Sequence, residues 1–217
     1  MCSEKEELKS RVIEVIGLLE KVHPEAKLIL RWSNPLELLI AAMLAAQFRD
    51  DSVNKVTESL FKKYRAVEDY ANASLEELEN DIRSVRFCRV KARNIKRACQ
   101  IIVEKYNGDV PSKMEDLLSL PGVARKTANI VLSYAFGIIE GIIVDTHVSR
   151  VSKRLGLTNE TDPEKIEKDL MEIVPRDKWL RFAELLMFHG RKICVARRPK
   201  CDECVLNKIC PSTSTAQ

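Results

Sequence analysis

The stretch LPGVARKTA, residues 120–128, sets the architecture of this chain. Pro121-Gly122 forms a turn, and the residues after it read as a helix of about 125–137. Before it, Ser112-x-x-Glu115 has the form of a capping box that opens a short helix ending near Leu120. The product is a helix, a hairpin and a helix. Arg125 and Lys126 then fall in the first turn of the second helix, where peptide dipoles and unpaired amides already concentrate positive charge. Each cation there costs roughly 0.3–1 kcal/mol unless an anion is near. The turn exposes amides at the same place, so Gly122, Ala124 and Arg125 outline a phosphate site. A long-chain amine at such a position, Lys126, is also a candidate nucleophile.

Outward from the hairpin, helix signals recur at short intervals and strand signals are nearly absent, which predicts an all-α fold. Residues 5–22 carry an apolar face of Leu8, Val12, Ile13, Val15, Ile16, Leu19 and Val22. Asn34 caps a helix with Pro35 at its first position and Glu37 at its third, and the apolar run LLIAAMLAA (38–46) predicts burial on all sides. Further helices are expected at about 52–64, from Ser74-x-x-Glu77, at about 89–106 up to Asn107-Gly108, and from Asp145 to about Leu155. Thr161 or Asp162 caps the next, and the final helix, about 177–190, buries Trp179, Phe182, Leu185, Leu186 and Phe188. Seams between two lobes are expected near 24–30 and 137–145.

The chain has 217 residues, 45% hydrophobic, enough for one large domain or two small ones. A net charge of +4 and pI near 8.6 permit nucleic-acid binding without requiring it. The charged start MCSEKEELKS and the lack of an apolar run of about 18 residues predict a soluble, intracellular protein with no membrane partner. Of seven cysteines, Cys2, Cys88 and Cys99 are scattered, whereas Cys194, Cys201, Cys204 and Cys210 crowd one segment. In a reducing compartment that clustering means metal rather than disulfides. Four thiolates saturate a centre, so the site is structural. Only one C-x2-C knuckle is present, which favours a [4Fe-4S] cluster, although the residue types also allow zinc. The same loop holds Arg191, Lys192, Arg197, Arg198 and Lys200 with no acidic residue from 191 to 200, a basic finger suited to phosphates.

Asp145 in IVDTH (143–147) is the candidate carboxylate, with a helix N-cap as its plain alternative. Read together, these segments resemble the endonuclease III family of helix-hairpin-helix DNA glycosylases over nearly the whole chain. The family hairpin LPGVGRKTAN is matched by LPGVARKTAN (120–129), and its VDTHV occurs at 144–148. The tail HGRKICVARRPKCDECVLNKIC (189–210) resembles the family iron-sulfur loop, and AAQFRDDSVN (45–54) its AQ-x-x-D-x-SVN segment. The resemblance implies that Lys126 is the Schiff-base lysine and Asp145 the catalytic aspartate. It implies that Gln47 fills the gap left by an extruded nucleotide, that Phe87 is the apolar wedge and that His147 is a DNA contact. It also implies a [4Fe-4S] cluster on the four cysteines. A six-helix domain at 28–138 and a cluster domain of 1–27 plus 139–217 are expected, with DNA in the groove between them.

Three positions depart from the family pattern. Ala124 replaces the second hairpin glycine, and its Cβ hinders phosphate approach unless the backbone there is ordinary. Arg86-Phe87-Cys88-Arg89 replaces Gly-Leu-Tyr-Asn, and Arg49 stands where a small polar residue is usual. The activity implied is that of a monomeric glycosylase and AP lyase in the cytoplasm or nucleoid, removing oxidised pyrimidines from duplex DNA containing damaged bases or abasic sites. A free lysine has a pKa near 10.4, so only about one in 2,500 is neutral at pH 7, and the site must lower that value or accept a proton. The alternatives are a sibling glycosylase for mismatched thymine or uracil or for adenine, and a non-catalytic DNA-binding scaffold. Related monofunctional enzymes often lack the lysine, and a scaffold has no need of Lys126 and Asp145 together.

Overall fold

The computed structural model describes residues 2–213. In chain order the helices are α1 (Cys2–Val22), α2 (Pro35–Ala45), α3 (Asp50–Lys63), α4 (Val67–Asn72), α5 (Leu75–Asp81), α6 (Cys88–Tyr106), α7 (Met114–Leu118), α8 (Arg125–Ala135), α9 (Thr146–Arg154), α10 (Pro163–Ile173) and α11 (Trp179–Lys192). Short 3-10 turns occupy Arg176–Lys178 and Cys201–Glu203. No strand occurs among the described residues, and the fold is all-α. None of these helices is long and apolar enough to cross a membrane. The chain divides into two units, one of Ile29–Glu140 and one joining the residues up to Leu28 to those from Gly141 onward.

In the first of these, α2 is the buried axis. Asn34 Oδ1 accepts the amide of Glu37 at 2.9 Å, and Glu37 reaches back to accept the amide and hydroxyl of Ser33. Every side chain from Leu38 to Ala45 is buried, and α2 packs on α3, α6 and α8. Each Leu or Ile so buried contributes about 1.5–3 kcal/mol. Helix α8 leans on α2 and α7 through its buried stretch, Thr127 to Ser133, and both of its ends are partly exposed. The expected Ser112 capping box is not formed: α7 begins at Met114 behind Lys113 with no side-chain cap, so the Ser112 hydroxyl is out of register. Ser74 does cap α5, but Glu77 pairs with Lys63 at 2.7 Å instead of closing the box. Helix α4, packed along α6, has no counterpart among the expected elements.

In the other unit, α1 packs on α10 and α11, and α9 crosses α11. Asp162, not Thr161, caps α10 by accepting the amides of Glu164 and Lys165. Phe188 is only half-buried, edge-on to His23 with the Lys192 ammonium 4.1 Å from its ring centre, which corrects the expectation of a core residue. A Cβ on Gly190 would lie 2.9 Å from that of His147, so glycine permits the close crossing of α9 and α11. Beyond α11 the chain has little core of its own: among residues 193–213, Leu206 is the one buried side chain.

Candidate active site

The hairpin between α7 and α8 depends on Gly122. Its φ of +80° is strained for any L side chain, and a Cβ there would sit 2.8 Å from the amide nitrogen of Asn94 on α6. The next small residue has a different reason for being small. Ala124 is extended (φ −94°, ψ 168°), a conformation open to any residue, so the glycine usual in the family is not needed for the backbone. Ala124 is exposed and gives α8 no side-chain cap, and Arg125 and Lys126, both partly buried, occupy the uncapped first turn.

Three exposed residues of the same unit hold left-handed conformations without being glycine: Gln47 (φ 54°) after α2, Phe87 (φ 60°) before α6, and Asn107 (φ 52°), which closes α6. Each such residue costs roughly 1–2 kcal/mol, and strain of this kind persists only where neighbours enforce it. Phe87 is 51% exposed, with the Arg86 guanidinium 4.7 Å from its ring centre. Arg49, exposed in the loop after Gln47, sits at the N-cap of α3 without a side-chain cap, and Asp50 and Asp51 supply the acidic first turn.

Lys91, which sequence reasoning passed over, is 8% exposed and donates from Nζ to the carbonyls of Leu44 and Ala46, each at 2.7 Å. Burial, with Arg86 adding repulsion, brings its pKa down to about 8.

In the other unit, Asp145 is the N-cap of α9, its Oδ1 accepting the amides of His147 and Val148 at 2.8 Å each. Both bonds fall on one oxygen, which leaves Oδ2 for a second partner. Arg150 holds His147 in place: its NH2 donates to His147 Nδ1 at 3.2 Å and to the Gly190 carbonyl at 2.8 Å, and its Nε donates to the Cys194 carbonyl. A guanidinium only donates, so Nδ1 is the acceptor and the ring proton sits on Nε2. Burial lowers the His147 pKa; Asp145 opposes this, while Arg191 and Arg150 add to it.

Cys194, Cys201, Cys204 and Cys210 are free thiols lining one cavity of about 290 Å³. Among the described residues no three His, Cys, Asp or Glu side chains converge as a single ion requires. Four thiols standing around one cavity fit a polynuclear cluster. Burial, reinforced by the three other thiols, raises the pKa of Cys204, as expected where thiolates need cationic iron between them. Arg154 binds the loop by its backbone, donating to the carbonyls of Val195 and Ala196 at 2.8 and 3.0 Å and to Cys194 Sγ at 3.2 Å. His189 Nε2 lies 3.4 Å from Cys204 Sγ, and its Nδ1 lies 3.1 Å from His23 Nε2.

Of the basic finger, Arg197, Arg198 and Lys200 are exposed and Arg191 is partly buried. Lys200 pairs with Glu203 at 3.6 Å, and Lys192 with Glu25 at 3.4 Å. These two acids lie outside 191–200 in sequence and were invisible to a local count. Arg150 and Arg154 were also passed over; the signal available was two like charges four apart on one helix, an arrangement that wants acceptors beside it.

Residues 40–176 match the HhH-GPD superfamily of base excision DNA repair proteins. Residues 194–210 match the iron-sulfur binding domain of endonuclease III. Endonuclease III of Synechocystis sp. is 49% identical over 208 residues, covering 96% of this chain and 95% of that protein. A trapped endonuclease III–DNA covalent intermediate superposes with a TM-score of 0.92 at 46% identity, covering 95% of this chain and 97% of its own. A thermostable thymine-DNA glycosylase is more distant, with a TM-score of 0.81 at 25% identity and 99% of both chains covered. The chain belongs to the endonuclease III family. It is a base excision repair DNA glycosylase with AP lyase activity and carries a [4Fe-4S] cluster.

Proposed function

We propose that this enzyme removes oxidised pyrimidines from duplex DNA with Lys126 as nucleophile. The observation that carries the reading is the uncapped first turn of α8, where a partly buried primary amine follows a turn that only glycine can make. Lys126 Nζ, once neutral, attacks C1′ of the deoxyribose as the N-glycosidic bond breaks and the base leaves with a proton. The C1′–O4′ bond then opens, O4′ taking up the proton that the attacking amine gives up, and the resulting iminium acidifies the C2′ proton; loss of that proton expels the 3′ phosphate by β-elimination, and water then releases the amine. Asp145 caps α9 with Oδ1, and its Oδ2 is the oxygen left to accept a proton or to stabilise positive charge on the sugar.

The open amides of the hairpin and Arg125 hold a backbone phosphate, supported by the helix dipole. Gln47 and Phe87, both exposed and both held left-handed, enter the base stack where the nucleotide has left. His147 with Arg191, Lys192, Arg197, Arg198 and Lys200 adds further contacts to the duplex. Cys194, Cys201, Cys204 and Cys210 hold the cluster, whose bound chemistry is structural because four thiolates leave it no open position. The enzyme acts as a monomer inside the cell, at the nucleoid.

Borohydride trapping tests the nucleophile. The native protein should yield a covalent DNA adduct and Lys126→Gln none; an undiminished adduct with that variant overturns the assignment. Duplexes with thymine glycol, dihydrouracil or thymine opposite guanine test the lesion class, and activity confined to mismatched thymine would reassign it.

A further inference from the structure

The mechanism above uses Gln47 and Phe87 but leaves unexplained what keeps them both in a conformation that L residues avoid. Lys91 touches the backbone beside each. Its own amide donates to the carbonyl of Phe87 at 3.0 Å, as the first helical hydrogen bond of α6. Its ammonium reaches the end of α2 and donates to the carbonyls of Leu44 and Ala46 at 2.7 Å. The Ala46 carbonyl shares a peptide plane with the amide of Gln47, so holding that oxygen fixes where Gln47 begins. A cation suits the position, because the last carbonyls of a helix carry partial negative charge. The side chain is 8% exposed and has the ring of Phe48 5.8 Å from Nζ, so its bonds are not shared with bulk water. A buried ammonium is unfavourable in itself, which burial records in a pKa of about 8, and a residue serving only to fill space would be apolar.

We propose that Lys91 is a positioning residue for nucleotide extrusion, clamping the Ala46–Gln47 peptide to the N-terminus of α6 so that Gln47 and Phe87 present a single preset pair to the base stack. This rests on the reading of those two residues as the ones that enter the stack. Preorganising both before contact removes from the DNA-bound step the ordering that each would otherwise need. The side chain touches neither sugar nor base, so its loss is felt where a stack must be opened and not in the chemistry of Lys126.

The test uses the holoenzyme and two substrates. One is a duplex carrying thymine glycol, followed in single turnover; the other is a single-stranded oligonucleotide with an abasic site, which has no stack to open, followed by borohydride trapping. Lys91→Met keeps the length and removes the donors. It should slow duplex excision by about tenfold or more while changing single-strand trapping by less than about twofold. Gln47→Ala and Phe87→Ala should show the same duplex-selective loss. Cluster absorbance and thermal melting check folding, and Lys91→Gln, which keeps an N–H donor, should show a smaller loss of the same kind if the methionine variant does not fold. Equal loss on both substrates makes Lys91 a general structural residue and overturns the proposal. Duplex-selective loss in Gln47→Ala and Phe87→Ala but not in the Lys91 variants rejects the clamp alone. No selective loss in any variant rejects the insertion reading and the clamp with it.

Discussion

Two helix N-termini of this enzyme solve the same electrostatic problem in opposite ways. Helix α9 begins behind Asp145, whose carboxylate accepts two of its first amides. Helix α8 begins behind Ala124, has no side-chain cap and places two cations in its first turn. The first end is satisfied from within the chain. The second is left unsatisfied and made more positive, which is unfavourable for the free protein and favourable once an anion arrives. A helix end closed by its own chain and one left open to an anion are thus distinguished by one residue at the cap.

The largest way to break this contrast is Asp145→Asn. Asparagine caps nearly as well as aspartate, so melting should barely change, while base excision should fall by about 10²–10⁴-fold if the carboxylate does chemistry. Asp145→Ala should add a loss of about 0.5–2 kcal/mol in stability. Wild-type excision by the asparagine variant would make Asp145 a cap and nothing more. Ala124→Asp is the converse change, giving α8 the cap that α9 has on a backbone already extended. It should raise stability by about 0.5–2 kcal/mol in thermal melts and weaken DNA binding about tenfold at low salt, with a shallower salt dependence. Unchanged affinity would remove the hairpin from the phosphate contacts.

The smallest effect concerns His147. Its folded pKa lies below the usual 6.5, chiefly through burial, so the unfolded chain takes up the proton first as pH falls through about 6.5. Its contribution to stability is therefore full above that pH and declines below it. An NMR titration should place its midpoint under 6.5, and His147→Gln should flatten part of the acid-side loss of stability; a midpoint at or above 6.5 would contradict the effect of its partial burial.

The α8 end was legible in sequence because it depends on residue types that have few other uses: Pro-Gly for the turn, then cations where a helix disfavours them. Helix α4 was not legible for the complementary reason. Ala66 has no side-chain acceptor, and the end is closed from inside the helix, with Asp69 Oδ2 accepting the amides of Arg65 and Ala66. Cap rules that look for an acceptor at the first position miss such a start. Lys91 was hidden for another reason: residue order records a charge but not its direction, and in RFCRVKA a lysine that turns inward looks the same as one that turns out. Arg150 and Arg154 resemble a solvated face in the same way, although both bind backbone carbonyls of the cluster loop.

Among the described residues after α11, 193–213, a single side chain is buried, Leu206. One apolar residue cannot offset the conformational freedom lost by some twenty others, each of which gives up about 1–2 kcal/mol in backbone entropy. The iron-sulfur centre therefore stands in for the hydrophobic core of its own loop, with the Arg154 bonds as the seam that joins it to α9. Stability in this region is inorganic in origin, and an agent that strips iron acts on it as a core-destroying mutation acts elsewhere. Limited proteolysis after chelation would be expected to open the chain within 193–213 before it reaches the helices of either unit.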